Sequence, residues 1–295
     1  MGRRRKYERS DINGVLVINK PAGPTSHDMV ALVRRCLKAK AGHAGTLDPQ
    51  ASGVLVLVLG QATRLARYLQ GHDKQYRAVI RLGRATDTYD AEGRVTDEHS
   101  VPELSRQQVE EVLQAFRGPI QQRTPLYSAV KVKGKKLYEY ARKGQQAERP
   151  LRSVTISRLQ LLEREDSAWT LLIDCTSGTY VRSLAHDMGR RLGCGAHLES
   201  LVRTRSGPFQ IAQAIAPQEV EARWQEVLVP MEKMLPELPR IDVDPSAAKR
   251  VLNGAALMIP DPARGQCRLF CQGRLLAIAA SDGLSVQPKI VFQQS

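Results

Sequence analysis

Residues 42–53 read Gly42-His43-Ala44-Gly45-Thr46-Leu47-Asp48-Pro49-Gln50-Ala51-Ser52-Gly53, and Val54-Leu55-Val56-Leu57-Val58-Leu59 follows directly. Glycine at 42, 45 and 53 together with Pro49 predicts a tight loop. The unbroken apolar run after it predicts a strand buried on both faces, which anchors that loop in a core. An acidic side chain held so rigidly is well placed to be aimed at a substrate. Local spacing alone still favours Asp48 before Pro49 as an ordinary turn residue.

Working outward, Gly14 to Ile18 reads as a second buried strand and Tyr76 to Leu82 as a half-buried one. Between the two apolar strands, Met29, Val30, Leu32, Val33, Cys36 and Leu37 recur at helical spacing behind a start signal at Thr25 or Ser26. Ser105 with Gln108 forms a capping-box signature ahead of Val109, Val112, Leu113 and Phe116, and Gly118-Pro119 stops that helix. Strands near Val154 to Leu162 and Trp169 to Cys175 precede a helix from about Val181 to Leu192, with Gly193 as its stop. Prolines 217, 230, 236 and 239 mark a boundary near residues 230 to 245. Beyond it, a short helix over Pro245 to Leu252 and strands around Cys267 to Cys271, Leu275 to Ala280 and Val286 to Phe292 make a small β-rich module. The pattern predicts an α+β chain with a large first domain.

The 295 residues carry 44 Lys plus Arg against 30 Asp plus Glu, a formal charge of +14, which favours an anionic partner and nucleic acid first. The charge is concentrated. Gln121 to Arg152 holds nine basic residues against Glu139 and Glu148, whereas Ala216 to Ala247 holds three basic and seven acidic ones. The basic segment is broken by Gly134, Gly144 and Pro150, so it forms no amphipathic membrane-surface helix. The longest apolar run falls far short of the ~18 residues of a membrane span. Arg3, Arg4, Arg5 and Lys6 lead into no apolar segment, so no secretory signal is expected. Five irregularly spaced cysteines fit reduced thiols in a cytosol, and Cys267 and Cys271 are expected on one face of a strand.

No phosphate-cradling glycine loop, dinucleotide fingerprint or nucleophile elbow occurs, and the lone Cys194-x-x-His197 lacks the second pair that a structural zinc needs. The chain is therefore expected to work without metal or cofactor.

Five motifs in order give these residues a sharper meaning. They are Gly14-Val-Leu-Val-Ile-Asn-Lys20-Pro21-Ala-Gly-Pro-Thr-Ser26-His-Asp28; Gly45-Thr-Leu-Asp48-Pro-Gln-Ala-Ser-Gly53; Lys74-Gln-Tyr76; Thr124-Pro-Leu-Tyr127-Ser-Ala with Gly134-Lys-Lys-Leu-Tyr-Glu-Tyr-Ala141; and Cys175-Thr-Ser-Gly-Thr-Tyr180-Val-Arg182-Ser-Leu-Ala-His-Asp187. Together they closely resemble the TruB family of tRNA pseudouridine synthases. The resemblance spans residues 14 to about 208 and is looser over the last fifty. It implies a catalytic domain over 1–235 with a mixed, largely antiparallel sheet flanked by helices. It further implies a thumb-like RNA-binding insertion at about 121–152 and a PUA-like RNA-binding domain over 240–295.

The implied reaction isomerises uridine 55 in the TΨC arm of tRNA, breaking the C1′–N1 bond and rejoining the turned uracil through C5. Substrate and product are isomers, so no redox partner or phosphate donor is required. The resemblance makes Asp48 the catalytic carboxylate, as nucleophile at C1′ or as base toward a sugar proton. Arg182 is the cation that keeps it ionised. Tyr76 receives the flipped base, whose extrusion costs a few kcal/mol. His43 fills the space that flipped bases vacate, Tyr180 and Leu201 line the uracil pocket, and Lys20 supports the active-site loop. Lys131, Lys133, Lys135, Lys136, Arg142 and Lys143 contact phosphates. The implied protein is a cytoplasmic monomer with tRNA as partner and no obligate protein partner. Two other readings stay open: a guide-RNA-dependent relative, and a non-catalytic RNA-binding or RNA-folding protein.

Overall fold

The computed structural model describes residues 11–128 and 130–293. The basic run Arg3 to Lys6, and Ala129 within the expected thumb-like insertion, lie outside the described residues. A nine-stranded sheet organises the first 210 residues. It comprises β1 (Gly14–Lys20), β2 (Ala41–His43), β3 (Ser52–Leu59), β4 (Lys74–Leu82), β5 (Gly118–Arg123), β6 (Leu151–Glu165), β7 (Ala168–Cys175), β8 (Ala196–Ser206) and β9 (Phe209–Gln210). Its order is β1-β3-β8-β4-β7-β6-β5, with β2 also on β3 and β9 on β8. Every pair is antiparallel except β3 and β8, which run parallel where Ser52 and Gly53 face Val202 and Arg203.

The alternation within β3 decides what covers each face. Leu55, Leu57 and Leu59 join one core with Met29, Val30 and Val33 of α1 (Ser26–Leu37) and Leu184, Ala185 and Met188 of a later helix. Val54, Val56 and Val58 point the other way, into a second core. Period two thus sends the leucines toward the helices and the valines to the back of the sheet. Helix α1 starts at the predicted place: Thr25 caps it, and Asp28 returns the bond to complete a capping box. The Ser105–Gln108 box likewise opens α2 (Arg106–Gln114). Helix α3 spans Val181–Leu192 and ends on Gly193 in the left-handed conformation at φ 74°. Strand β6 runs well beyond its apolar stretch, because Leu151 to Ser153 still pair with β5 and Glu163 to Glu165 with β7, and ladder bonding is indifferent to side-chain polarity.

A second, five-stranded sheet follows, formed by β10 (Arg240–Asp242), β11 (Leu257–Met258), β12 (Gly265–Cys271), β13 (Arg274–Ser281) and β14 (Ser285–Val291) in the order β10-β12-β13-β14-β11. Helix α4 (Val220–Val227) precedes it, and α5 (Pro245–Leu252) packs on one face with Leu257, Cys267, Leu269 and Cys271, so the two cysteines share a face. The opposite face presents Phe270, Leu275 and Ile278, which with Ile290 and Phe292 complete the core behind β1 and β3. Met231, Met234 and Leu235, within the proline-marked boundary, are buried in that same core, so the stretch is a packed wedge and not a free linker. No helix among the described residues is long and apolar enough to cross a membrane.

Candidate active site

The loop from Ala44 to Gly53 is fastened from four sides. Lys20, fully buried at the end of β1, donates from Nζ to the carbonyls of Pro21, Pro24 and Pro49 at 2.8, 2.7 and 2.9 Å. Burial lowers its pKa, and the charge of Asp48 opposes that shift. Arg203, 1 % exposed in β8, donates from Nε to the Val54 carbonyl at 2.7 Å and from its terminal nitrogens to Gly45 and Thr46. The Ser26 hydroxyl at the head of α1 exchanges bonds with Leu47, and the Gly23 amide donates to the Pro49 carbonyl. Gly53 closes the loop at φ 99°, where any Cβ would drive into the Arg203 carbonyl. Two cations thus neutralise the dipoles of the loop and loop-side carbonyls and leave the Asp48 carboxylate pointing outward.

Asp48 Oδ2 lies 3.0 Å from Arg182 Nε, and Arg182 Nη1 lies 3.2 Å from Asp90 Oδ2. The guanidinium also donates to the carbonyls of Thr88 and Tyr127. Arg182 occupies the first turn of α3, where the helix dipole disfavours a cation. Two carboxylates and two carbonyls offset that cost and fix the fork in one orientation. Exposure separates the carboxylates: the side chain of Asp48 is 40 % exposed, against 6 % for Asp90 and 7 % for Arg182. Asp48 is the end of the array open to solvent.

Tyr76, Tyr180 and Lys20 all lie within reach of the Asp48 charge. Tyr76 is the third residue of β4, opposite Arg203 and Ile173, and is nearly buried, and burial raises the pKa of both phenols, which therefore stay protonated at neutral pH. Tyr180 immediately precedes α3, its amide donating to Gln122 Oε1 and its carbonyl accepting from Gln122 Nε2. Leu201, on β8 opposite Ala78, sits in the core that holds Tyr76. His43 ends β2 beside the loop. Burial and the nearby Arg203 and His27 lower its pKa, so it is neutral, and its Nδ1 is buried without a protein partner. Asp90, Arg203 and Gln122 are constituents of the site that sequence reading missed. The accessible hint for Arg203 is a charge at an inward position of an otherwise alternating strand.

The predicted phosphate-binding residues lie on the insertion between β5 and β6. The chain leaves the sheet after Arg123 and re-enters at Leu151, which face each other across one rung, and Thr124 bonds the Pro150 carbonyl just outside it. Within the intervening loop, Lys131–Val132 pairs with Lys135–Lys136 around Gly134, and a short helix covers Leu137–Arg142. Lys131, Lys133, Lys135, Arg142 and Lys143 are exposed, and Lys136 is half-buried with its ammonium 5.4 Å from the Tyr138 ring.

A mixed sheet carrying a carboxylate–arginine pair at the head of its central strands, with a basic loop spliced into an edge hairpin, is the architecture of a pseudouridine synthase. The solved H/ACA RNP bound to a substrate RNA containing 2′-deoxyuridine superposes with a TM-score of 0.73 at 28 % identity, covering 95 % of this chain and 85 % of that one. The archaeal box H/ACA sRNP Nop10-Cbf5 complex gives 0.72 at 27 % identity, over 98 % and 89 %. In sequence, residues 34–181 match the N-terminal domain of the TruB family pseudouridylate synthases, and residues 182–236 match the tRNA pseudouridylate synthase B C-terminal domain. The chain belongs to the TruB family and is an isomerase that makes pseudouridine. The tRNA pseudouridine synthase B of Symbiobacterium thermophilum is 52 % identical over 87 % of each chain, and that of Azoarcus sp. (strain BH72) 43 % identical over 97 % of this chain and 96 % of its own. The junction between the two family matches falls inside α3, so it separates no folding units.

Proposed function

We propose that this chain converts uridine 55 in the TΨC arm of tRNA to pseudouridine, with Asp48 as the catalytic carboxylate and the target base flipped out of its stack. The observation that carries the reading is the partly exposed Asp48 carboxylate locked on Arg182, with two protonated phenols within range of its charge. A carboxylate so oriented can meet the positive character that develops at C1′ when the glycosidic bond breaks. An aromatic face under the extruded base recovers about 1–3 kcal/mol of the unstacking cost, and Tyr76 supplies it. Tyr180 and Leu201 border the uracil, His43 occupies the gap left in the RNA stack, and Lys20 holds the loop. The exposed Lys131, Lys133, Lys135, Arg142 and Lys143, with Lys136, meet backbone phosphates. The protein works as a cytoplasmic monomer without cofactor, and its last fifty residues form a PUA-like RNA-binding module.

The likeness to H/ACA assemblies supports a second reading, in which guide RNA and partner proteins deliver the substrate. Identities of 43–52 % to tRNA pseudouridine synthase B relatives, against 27–28 % to those assemblies, favour the first. The test is release of hydrogen from C5-labelled uridine in a bare TΨC stem-loop. Wild-type chain is expected to release it unaided. Asp48→Asn is expected to release none while binding the same RNA within about threefold, since the carboxylate contributes to the transition state and not to ground-state affinity. Activity retained by Asp48→Asn would remove Asp48 from the mechanism, and a wild type inert without added partners would favour the guide-dependent reading.

A further inference from the structure

Tyr89 is the one residue between two that grip Arg182. The Thr88 carbonyl and the Asp90 carboxylate both meet Arg182 Nη1, at 3.4 and 3.2 Å, and Tyr89 between them has φ 66°. A bulky residue in the left-handed region is strained, and such strain persists only where the surroundings over-determine it. Here they do. The Tyr89 carbonyl accepts from the Leu198 amide of β8 at 2.9 Å, and the Ala91 amide donates back to the Leu198 carbonyl. The Tyr89 ring stacks on His186 with centroids 3.9 Å apart and planes 18° from parallel, and His186 lies one helical turn beyond Arg182 on α3. Burial and the neighbouring Arg190 and Arg149 lower the His186 pKa, so the stacked imidazole is neutral.

The phenol oxygen faces the basic insertion. Arg149 Nη1 donates to Tyr89 Oη at 2.9 Å, and Arg149 immediately precedes Pro150, whose carbonyl closes the neck of the insertion on Thr124. Near the other end of the insertion, the Tyr127 carbonyl accepts from Arg182 Nη2 at 3.0 Å. Both ends of the basic insertion therefore converge on Arg182, one directly and one through Tyr89.

Resting on the proposed pseudouridylation by Asp48, we infer that Tyr89 is a positioning residue: it transmits the seating of the insertion on RNA to the Arg182–Asp48 pair. A shift of Arg149 as the insertion meets phosphates moves the Tyr89 ring, and the 88–90 backbone then carries Asp90 and the Thr88 carbonyl, which set the angle of the guanidinium. The chemistry of the pair is unchanged; its alignment is what Tyr89 controls.

The test uses the full-length chain, with single-turnover C5-hydrogen release at saturating tRNA, tRNA Kd and Tm measured in parallel. Asn tolerates φ near 60° but offers no ring, so Tyr89→Asn keeps the backbone and cuts the link. Its single-turnover rate is expected to fall about 10- to 100-fold with Kd changed by less than about threefold, the signature of a misaligned catalytic pair. Tyr89→Phe and Arg149→Met should each show a smaller loss, and the double variant should be no slower than the slower single one, because both remove the same bond. An unchanged rate in folded Tyr89→Asn, a loss confined to Kd, a fall in Tm with an unchanged rate, or an additive double variant overturns the inference. A wild-type chain that releases no hydrogen overturns instead the reading on which it rests.

Discussion

Lys74 shows how one side chain near the site sets a pH dependence. It is 6 % exposed, its ammonium donates to the carbonyls of Gln70 and His72, and burial, with Arg203 adding to it, lowers its pKa to about 8. The unfolded chain holds that proton up to its ordinary pKa of about 10.4, so between the two values the unfolded state binds more protons and stability rises with pH. The difference in unfolding free energy between wild type and Lys74→Met is therefore expected to shift in favour of wild type from pH 8 to 10, by on the order of 3 kcal/mol in all. Denaturant titrations at pH 7, 8.5 and 10 measure it, and a pH-independent difference would refute the lowered pKa. At this scale the sequence made Asp48 and Arg182 recognisable, because each sits inside a contiguous motif. Asp90 and Arg203 were not: one resembles any turn aspartate, and the other lies 155 positions from Asp48 and is brought to its loop by the parallel rung between β8 and β3.

Among the elements, β3 was legible from its unbroken apolar run, whereas Gly42 and His43, expected in the loop, belong to β2, whose pairing with β3 no local pattern encodes. The insertion was legible as charge but not as shape, because its neck is defined by a cross-strand rung that no local pattern reveals. The lysines of its ribbon give the prediction proper to this scale. Replacing Lys131, Lys133 and Lys135 together by Gln is expected to reduce the slope of log K against log salt by about 0.7–0.9 for each phosphate they neutralise in the wild type. The single-turnover rate at saturating RNA should fall far less than the affinity. A slope equal to that of wild type would show that these exposed ammonium groups do not meet the backbone.

For the whole molecule, the two sheets share one core. Phe270, Leu275, Ile278, Ile290 and Phe292 cover the valine face of β1 and β3, and Gln61 exchanges two hydrogen bonds with the backbone of Gln293. Truncation after Pro239 therefore strips a large apolar area from the catalytic sheet. It is expected to lower Tm, with each large side chain uncovered costing roughly 1.5–3 kcal/mol, and to produce binding of a hydrophobic dye. If the truncated chain melts as the full one does, the shared core is not a stabilising interface. In the sequence the boundary stretch shows only as a change in proline and charge. That change could not show that Met231, Met234 and Leu235 within the stretch are buried, because three apolar residues among prolines have no period to read.

The single rung at Arg123 and Leu151 has a further consequence. Strands β5 and β6 meet there as an ordinary hairpin would, so the sheet has no register that depends on what is spliced between them. Residues 124–150 can therefore be lengthened or shortened by small insertions and deletions without moving a strand. The Tyr127 and Arg149 contacts mark where that freedom ends. The sheet makes no demand on the tip, whereas the two ends answer to Arg182 and Tyr89.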